Sequence, residues 1–458
     1  MYELVSGNKE VLRAVQVFGK YSNNIHDESD YRKFTEAVAA ANIDTDFPVH
    51  SSVYNYVNGY GARYIIFNTL YSSLVCLENE REYDVYRGKL AASEAERNIF
   101  VKNGIWVNGN VDEREIYISF LETCHRFQKS NISVVLTTTL ECNARCSYCY
   151  EAGVVKKDFD KHELNNLLKF LKEQDLRNGV QIIWFGGEPL LNTALIDMIS
   201  EAMTLENIPF VSSLVTNGSL LTEYIVNNKF EKWHLNDIQV TFDGHEEKYE
   251  QIKNYVDKNA CNYFSVLRNV KNAARTGINV HLRLNISKWN VADMGELLAD
   301  LEASFGKYDD VSMYPAFVTG IDGVIPEAER ISVLLGLLKG LKNPHKISFS
   351  KKFYGLPRVT PCHRFNSRAF SIDVNGNIYT CEHLVGRNEQ SIGTLLEGLY
   401  KKDVRINPPP LLQECRNCLF LPKCCGGCES NREKGELPCM IEKYMIPAYI
   451  DFMLQETK

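Results

Sequence analysis

A regular alternation of strand-like and helix-like segments between residues 131 and 340 constrains the fold more than any other feature of this sequence. Short apolar segments rich in β-branched residues are each followed by an amphipathic segment. Strand–helix units in series build a parallel sheet with right-handed crossovers, and no dinucleotide-type glycine fingerprint follows the first strand. The sequence therefore predicts an α/β fold, a partial (β/α)6 barrel. The predicted strands lie at 132–136, 180–185, 210–215, 237–242, 280–284 and 311–317.

The segments on either side of this alternation differ from it. Residues 1–130 combine strand-like stretches, within which Asn58-Gly59 predicts a hairpin turn, with helix-like stretches, and this indicates an α+β module. The module is either a packing extension of the barrel or a site that docks a peptide or another partner. After residue 340 the alternation gives way to a loop-rich, cysteine-rich segment. We therefore predict three units, at 1–130, 131–340 and 341–458.

Charge and hydrophobicity argue against several classes of protein. The chain of 458 residues has a formal net charge of −7, which does not favour generic binding to nucleic acid or to an anionic membrane. Its longest apolar runs are well short of the ~18 residues that a membrane span needs. The first residues lack the basic and apolar regions of a secretory signal. We expect a cytoplasmic protein without nucleic-acid or membrane partners.

The 14 cysteines are unevenly distributed along the chain. Three lie at 142–149, and eight lie between 362 and 439. A disulfide framework suits a small secreted domain better than a long chain without a signal peptide. In a reducing compartment, clustered cysteines indicate metal ligands.

The first cysteine group, Cys142, Cys146 and Cys149, follows the first predicted strand directly. Three thiolates would leave one iron of a cubane iron–sulfur cluster without a protein ligand. A zinc centre is the alternative, but it needs a fourth ligand. The candidate, His162, lies inside a predicted helix.

Glycines and polar residues follow the next four strands. In a barrel, the loops after the strands form the active face, so these residues share one rim with the three cysteines. Each of them is alternatively a plain turn or cap residue. The rim residues are Gly186-Gly187-Glu188-Pro189 after the second strand, then Asn217, Asp243, Arg283 and Asn285.

These motifs resemble a known family. Cys142-x3-Cys146-x2-Cys149, with Tyr148 inside it, resembles the signature of radical S-adenosylmethionine (SAM) enzymes, and Gly186-Gly187-Glu188-Pro189 resembles their glycine–glycine–glutamate–proline motif. The resemblance implies a [4Fe–4S] cluster on the three cysteines, whose open iron binds the amino and carboxylate groups of SAM. Reduction would cleave SAM to methionine and a 5′-deoxyadenosyl radical, which abstracts a hydrogen from the substrate.

The resemblance also implies roles for the rim residues. Gly186 and Gly187 would let the backbone approach the methionyl group. Glu188 would accept from its ammonium, and Arg283 would pair with its carboxylate. Tyr148 is expected beside the adenine. The candidate contacts to the ribose or the methionyl group are Asn217, Asp243 and Asn285.

The later cysteines resemble a second family pattern, the SPASM domain, which carries two auxiliary [4Fe–4S] clusters in peptide-modifying radical enzymes. An Asn375-Gly376 hairpin turn separates the first two of these cysteines. One set has three cysteines where a [4Fe–4S] cluster has four irons. Either one iron has no protein ligand, or another residue supplies the fourth ligand. Cys425 is the additional thiol in this region. A zinc ribbon at 415–428 is the alternative. The implied sets are Cys415, Cys418, Cys424 and Cys439 for one cluster, and Cys362, Cys381 and Cys428 for the other.

The combined resemblance implies an enzyme that modifies a ribosomally made precursor peptide, with a flavodoxin or ferredoxin as electron donor. A thioether cross-link is favoured over a carbon–carbon bond, because an open auxiliary iron could bind a substrate thiolate. The N-terminal module resembles leader-binding extensions. Glu382 stands where sulfatase-maturing relatives carry an aspartate proposed as proton acceptor, so it is either a catalytic base or a solvated side chain. The alternatives are a formylglycine-forming maturase and a non-catalytic iron–sulfur electron carrier.

Overall fold

The structure is a computed structural model, and it describes residues 4–5, 9–21, 24–127, 131–319, 323–342, 357–358, 362–400, 411–433 and 439–456. The strands are β1 (Leu4–Val5), β2 (Val49–Ser51), β3 (Asn55–Tyr60), β4 (Arg63–Asn68), β5 (Ser73–Leu77), β6 (Trp106–Asn108), β7 (Ile132–Thr139), β8 (Val180–Gly186), β9 (Phe210–Thr216), β10 (Leu235–Phe242), β11 (Asn279–Ile286), β12 (Val311–Phe317), β13 (Ala369–Ile372), β14 (Asn377–Tyr379), β15 (Gly393–Thr394) and β16 (Gly398–Leu399). The helices are α1 (Lys9–Tyr21), α2 (Glu28–Ala40), α3 (Glu80–Tyr86), α4 (Glu94–Lys102), α5 (Glu113–Phe127), α6 (Glu163–Lys172), α7 (Thr193–Leu205), α8 (Glu223–Lys229), α9 (Glu246–Lys253), α10 (Tyr263–Ala274), α11 (Met294–Phe305), α12 (Glu327–Gly340), α13 (Gln413–Arg416), α14 (Leu421–Cys424), α15 (Glu429–Glu433) and α16 (Glu442–Glu456).

Six of the described strands, β7 to β12, lie side by side in chain order and run parallel. Each is followed by at least one helix, which confirms the predicted partial barrel. The sheet continues past β7, because β13 pairs with β7 in parallel and the short strands β14 to β16 add antiparallel to it. The turn between β13 and β14 contains Asn375-Gly376 as predicted, and Gly376 has a φ of +76°.

The two faces of the barrel sheet differ because successive side chains point to opposite sides of a strand. One face packs against the helices and is apolar, and the other carries polar side chains joined across the strands. Ser213 donates to Asp237 at 3.2 Å, and His281 lies 3.3 Å from Asp237. The polar side chains of this face therefore continue along the strands to the rim, where the candidate site lies. Fully buried residues on the apolar face include Leu136, Trp184, Leu214, Val240 and Leu282.

The N-terminal module, the described part of residues 4–127, has its own four-stranded antiparallel sheet in the order β1-β5-β4-β3. The predicted turn at Asn58-Gly59 is wrong. Strand β3 runs through both residues to Tyr60, which pairs with Arg63, and the turn lies at Gly61 with a φ of +64°. Gly59 stays in the strand because the Tyr64 ring occupies the space of a Cβ there, 2.6 Å away.

The N-terminal module packs against the C-terminal segment, which we define as residues 411–456. Leu421 is fully buried in one apolar cluster with Phe18, Tyr117 and Cys425. Helix α16 also packs along β3 and β4. The apolar contact between the module and the C-terminal segment is therefore part of the core of the molecule.

Polar contacts reinforce this packing next to the later cysteines. Thr69 Oγ1 donates to the carbonyl oxygen of Leu419, and Lys423 Nζ donates to Ser72 Oγ at 2.5 Å. Burial lowers the pKa of Lys423 to about 7. The turn between β4 and β5 thus braces the stretch that joins Cys418 to Cys424.

None of the described helices is long and apolar enough to cross a bilayer.

The first prediction concerns Leu421. Truncation to Ala opens a cavity in the shared cluster, and we expect it to lower the free energy of unfolding by about 2–5 kcal/mol. Because the cluster joins Leu421 to α1 and α5 of the module, hydrogen exchange should also rise in α1 and α5. Urea unfolding and exchange measured by mass spectrometry check this. Unchanged exchange in α1 and α5 would show that the module is energetically independent of the C-terminal segment.

Candidate active site

The first cysteine group lies on the loop after β7, which we call the cysteine loop (residues 140–150). Burial raises the pKa of Cys142, Cys146 and Cys149, and the pKa of Cys146 rises to about 11. The other thiols of the group add to the shifts of Cys142 and Cys146. The three side chains therefore face a common, partly desolvated space. Thiols bind metal as thiolates, so iron binding here must displace protons.

The glycine motif at the end of β8 is hydrogen-bonded to the backbone at the start of the cysteine loop. The amide of Gly187 donates to the carbonyl of Thr139 at 2.9 Å, and the amide of Glu188 donates to the carbonyl of Glu141 at 2.8 Å. A Cβ on Gly186 would lie 2.2 Å from Thr139 O, and one on Gly187 would lie 2.1 Å from Glu141 O. Real Cβ atoms do not approach so closely. In this structure, both glycines are required for contact between the two loops.

The side chain of Glu188 is fully buried and links β8 to β9. Its carboxylate accepts from Thr216 Oγ1 at 2.7 Å, from the amide of Asn217 at 2.8 Å and from the amide of Leu190 at 3.1 Å. Burial raises the pKa of Glu188, and these hydrogen bonds oppose the shift. An ionised carboxylate accepts about four hydrogen bonds, so these three donors leave room for one more.

Asn217 reaches from the end of β9 back to the cysteine loop. Its Nδ2 donates to Asn143 Oδ1 at 2.8 Å, and Asn143 Nδ2 donates to Ser219 Oγ at 2.8 Å. Asn143 and Ser219 were missed in the sequence, where no motif marks them. The loops after β7, β8 and β9 are thus joined by hydrogen bonds.

One network over the ends of β10 and β11 joins Tyr148 to the rim residues Asp243, Arg283 and Asn285. Asn285 Nδ2 lies 2.9 Å from Asp243 Oδ1 and 3.1 Å from the hydroxyl of Tyr148, and Arg283 Nε donates to Asn285 Oδ1 at 2.9 Å. Burial raises the pKa of Tyr148, and the Asp243 carboxylate adds to the shift. The structure therefore brings Tyr148, Asp243, Arg283 and Asn285 together, as the rim hypothesis requires.

Lys253 belongs to this network, and the sequence interpretation missed it. Its ammonium lies 2.8 Å from Asp243 Oδ2 and donates to Thr241 Oγ1 at 2.6 Å, and it lies 3.5 Å from the hydroxyl of Tyr148. It stands at the end of α9, a short charge-rich helix that the strand–helix count did not include. The available signal was weak: a basic residue at the end of a helix in the loop after β10.

The later cysteines fall into two sets of thiols that affect one another, and their assignment to auxiliary clusters stays a prediction. Burial raises the pKa of Cys424 to about 12, and the nearby Cys418, Cys415 and Cys439 add to this. Burial also raises the pKa of Cys381, and Glu382, Cys362 and Cys428 add to that shift. The thiols within each group are therefore close enough to interact electrostatically.

Cys425 lies at the boundary of these groups. Its thiol donates to the carbonyl of Arg358 at 2.8 Å, and its backbone is left-handed with a φ of +50°. Burial raises the pKa of Cys425, and Cys424 and, to a smaller extent, Cys362 contribute. The thiol of Cys425 is therefore bound to a backbone acceptor of Arg358.

The cysteine loop touches the turn that carries Glu382. The Tyr150 ring packs on the ring of His383, with 4.4 Å between centroids. Burial raises the pKa of Tyr150, and the carboxylates of Glu151 and Glu382 add to the shift. Glu382 also accepts from Cys381 Sγ at 3.7 Å. Glu382 therefore lies between the first cysteine group and the group of Cys381.

Glu151 is a second carboxylate that the sequence reading missed. It is only 8% exposed, and its Oε1 has no hydrogen-bond partner among the described residues. Burial raises the pKa of Glu151 to about 7. A buried, unpaired oxygen beside the cysteine loop is available to an N–H or O–H donor of a ligand.

A mononuclear zinc site finds no support in this geometry. Within the described ranges, no group of three or more His, Cys, Asp or Glu side chains is arranged to hold a single metal ion. His162 is exposed at the start of α6 and is not directed to the cysteine loop by any described contact. The donor set of the cysteine loop, three interacting thiols and no fourth ligand, fits an iron–sulfur cube with one iron left for a cofactor.

Residues 136–301 match the family model described as the Radical SAM superfamily. This match of part of the chain favours SAM and one [4Fe–4S] cluster as the groups that the cysteine loop would hold. The matched stretch includes the cysteine loop, the glycine motif and the rim network.

Relatives in sequence share this stretch with the chain. A probable GTP 3′,8-cyclase of Methanopyrus kandleri is 30% identical over 177 residues, which cover 37% of this chain and 53% of the relative. The Fe-coproporphyrin III synthase of Methanosarcina barkeri is 29% identical over 173 residues, 37% of this chain and 40% of the relative. The chain thus spans about half the length of these relatives or less.

Solved structures share the fold over a longer part of the chain. Native anSMEcpe with bound AdoMet matches with a TM-score of 0.53 and 16% identity, over 70% of this chain and 97% of the other. The same protein with AdoMet and the Kp18Cys peptide matches with a TM-score of 0.55 and 15% identity, over 71% and 98%. This similarity extends the shared fold well beyond residues 136–301.

The second prediction concerns Gly187. A methyl group in Gly187→Ala would meet Glu141 O and lie 3.1 Å from the Cβ of Cys142, so the cysteine loop must move. We expect anaerobically reconstituted Gly187→Ala to contain about four irons per chain fewer than the wild type.

Gly295→Ala is the matched control, because nothing lies within 4 Å of a Cβ at this helical glycine. It should keep the full iron content. Equal iron content in the Gly187 and Gly295 variants would show that the glycine contact does not hold the cysteine loop.

Proposed function

We propose that this protein is a radical SAM enzyme that modifies a peptide, most simply a ribosomally made precursor, and that it carries two auxiliary [4Fe–4S] clusters. The observation that carries the proposal is the position of Glu382 and Tyr150 between the first cysteine group and the group of Cys381. A substrate that reacts between a SAM site and an auxiliary cluster would contact these residues.

The residues of the cysteine loop and the rim would hold the first cluster and SAM. When bound, this pair supplies the 5′-deoxyadenosyl radical that abstracts a substrate hydrogen. Arg283 offers a guanidinium to the methionyl carboxylate, and Tyr148 and Asn285 offer polar groups to the adenosine. Gly186, Gly187 and the buried Glu188 keep the loops in register, and Glu188 remains a proposed acceptor for the methionyl ammonium.

Hydrogen abstraction from a peptide is followed by bond formation with loss of one proton and one electron, and the nearer auxiliary cluster would accept the electron. Glu382 is the proposed acceptor of that proton, because it lies beside Cys381 and close to Tyr150. The group of Cys362, Cys381 and Cys428 would bind the nearer auxiliary cluster. With three thiols, this group leaves one iron open to a substrate thiolate, which favours a thioether product over a carbon–carbon bond.

The proposed peptide partner is favoured by two features. The fold matches a structure described with a bound peptide, and the N-terminal module adds a further sheet beside the C-terminal segment. We propose that the module at 1–130 binds a leader segment, and that a flavodoxin or ferredoxin donates the electron. A formylglycine-forming maturase is the second candidate, and the glutamate at position 382 in place of aspartate argues against it.

The third prediction concerns Cys142. Cys142→Ala removes one of three thiolates from the first cluster, so we expect it to abolish reductant-dependent formation of 5′-deoxyadenosine. The thiols of the later groups are untouched, and the variant should retain about eight irons per chain. Liquid chromatography of the nucleoside and an iron assay check both outcomes.

Cys261→Ala is the control, since Cys261 lies away from the three groups, against Ser265 of α10. It should form 5′-deoxyadenosine at the wild-type rate. Formation of 5′-deoxyadenosine by Cys142→Ala would contradict the assigned cluster site. If the wild type formed no 5′-deoxyadenosine, the protein would be an iron–sulfur electron carrier rather than an enzyme.

The fourth prediction concerns Glu382. Glu382→Gln keeps the size of the side chain but removes its basicity, so peptide modification should slow by about 10²–10⁴-fold. Cleavage of SAM should continue, because no described hydrogen bond joins Glu382 to the rim network around Asp243. Product and 5′-deoxyadenosine are measured together. Unchanged coupling of the two would show that Glu382 is a solvated side chain.

A further inference from the structure

We propose that Lys253 is a positioning residue of the first cluster site, which fixes the cysteine loop to the rim through both its side chain and its backbone. The role in cluster chemistry rests on the proposed function, whereas the loop contacts are independent of it. Lys253 connects α9 to the loop after β7 and to the end of β10.

The ammonium of Lys253 is enclosed by polar groups of the protein. It is 2% exposed, and three acceptors surround it: Asp243 Oδ2, Thr241 Oγ1 and the hydroxyl oxygen of Tyr148. A lysine ammonium has three N–H donors and no acceptor. Its effect is therefore to orient these three groups rather than to bind the cofactor itself.

The charge of Lys253 is maintained by its neighbours. Burial disfavours the charged form, but the Asp243 carboxylate together with Tyr148 and Cys146 outweighs this and raises the pKa of Lys253 above its usual range. Removing one partner of a buried ion pair leaves the other charge uncompensated. Asp243 would then lose its orientation, and with it Asn285, which donates to Asp243 Oδ1.

The backbone of Lys253 holds the other side of the same loop. The amide of Arg145 donates to the carbonyls of Lys253 at 2.9 Å and of Asn254 at 3.1 Å. Asn254 ends α9 in the left-handed conformation with a φ of +46°, which turns these carbonyls towards the cysteine loop. One residue thus contacts the loop at Arg145 and, through its side chain, at Tyr148.

Lys253 also lies against a thiol of the first group. Cys146 Sγ lies 3.8 Å from the carbonyl oxygen of Lys253, so Lys253 is next to a proposed cluster ligand. Net charge is one of the properties that set the potential of an iron–sulfur cluster. Because reduction adds a negative charge, the ammonium should favour the reduced form.

The test compares Lys253→Met and Lys253→Arg with the wild type, and Lys248→Met serves as the control. Lys248 lies on the same helix, and its ammonium contacts only the side chain of Gln251 among the described hydrogen bonds. Hydrogen exchange of the cysteine loop is measured on the cluster-free protein. The potential of the first cluster, and the kcat and KM for SAM, are measured after reconstitution.

We expect Lys253→Met to increase exchange in the cysteine loop, to make the potential more negative, and to raise the KM for SAM by about 10- to 100-fold. Lys253→Arg keeps the charge and should restore the potential while leaving the KM raised. Lys248→Met should match the wild type. Wild-type exchange and potential in Lys253→Met would overturn the proposal.

A second variant keeps the test decisive if Lys253→Met does not fold. Thr241→Val removes one acceptor and leaves the charge, so exchange in the cysteine loop should rise while the potential stays close to that of the wild type. Wild-type exchange in Thr241→Val would then contradict the proposal. If the wild type bound no cluster, the proposed function would fail, and the exchange data would still decide the role of Lys253.

Discussion

The backbone pairing of the cysteine loop with the loop after β8 is the contact on which the candidate site depends. Two amides, those of Gly187 and Glu188, donate to the carbonyls of Thr139 at the end of β7 and of Glu141 just before Cys142. The approach is so close that neither glycine position has room for a Cβ. The contact places three thiols above the ends of the neighbouring strands, and the rim side chains can converge on that space only because the loop is fixed.

The later cysteines contact two other parts of the chain, the cysteine loop and the N-terminal module. On one side, Tyr150 and Glu382 bring the group of Cys381 next to the cysteine loop. On the other side, the N-terminal module packs on Leu421 and braces the stretch before Cys424 through Thr69 and Ser72. The module therefore supports the C-terminal cysteines, and a leader bound to it would lie on an element in contact with them.

Features with a local cause could be predicted from the sequence, and features created by tertiary contact could not. The six strands and the Asn375-Gly376 turn follow from apolar patterning and turn chemistry. Asn58-Gly59 carries the same turn signal, but the Tyr64 ring keeps Gly59 in a strand. Lys253 was missed because an exposed lysine is the usual expectation, and its partner Asp243 belongs to another element. The glycine motif was recognised, but its contact with the cysteine loop becomes visible only in the fold.

We propose that the chain holds three clusters, of which the first binds SAM. Mössbauer spectroscopy of the anaerobically reconstituted, ⁵⁷Fe-labelled wild type, with and without SAM, can count and distinguish them. We expect about twelve irons per chain in [4Fe–4S] clusters, with one iron site of one cluster changed by SAM. About four irons per chain, all in the SAM-responsive cluster, would contradict the auxiliary clusters and with them the proposed peptide chemistry.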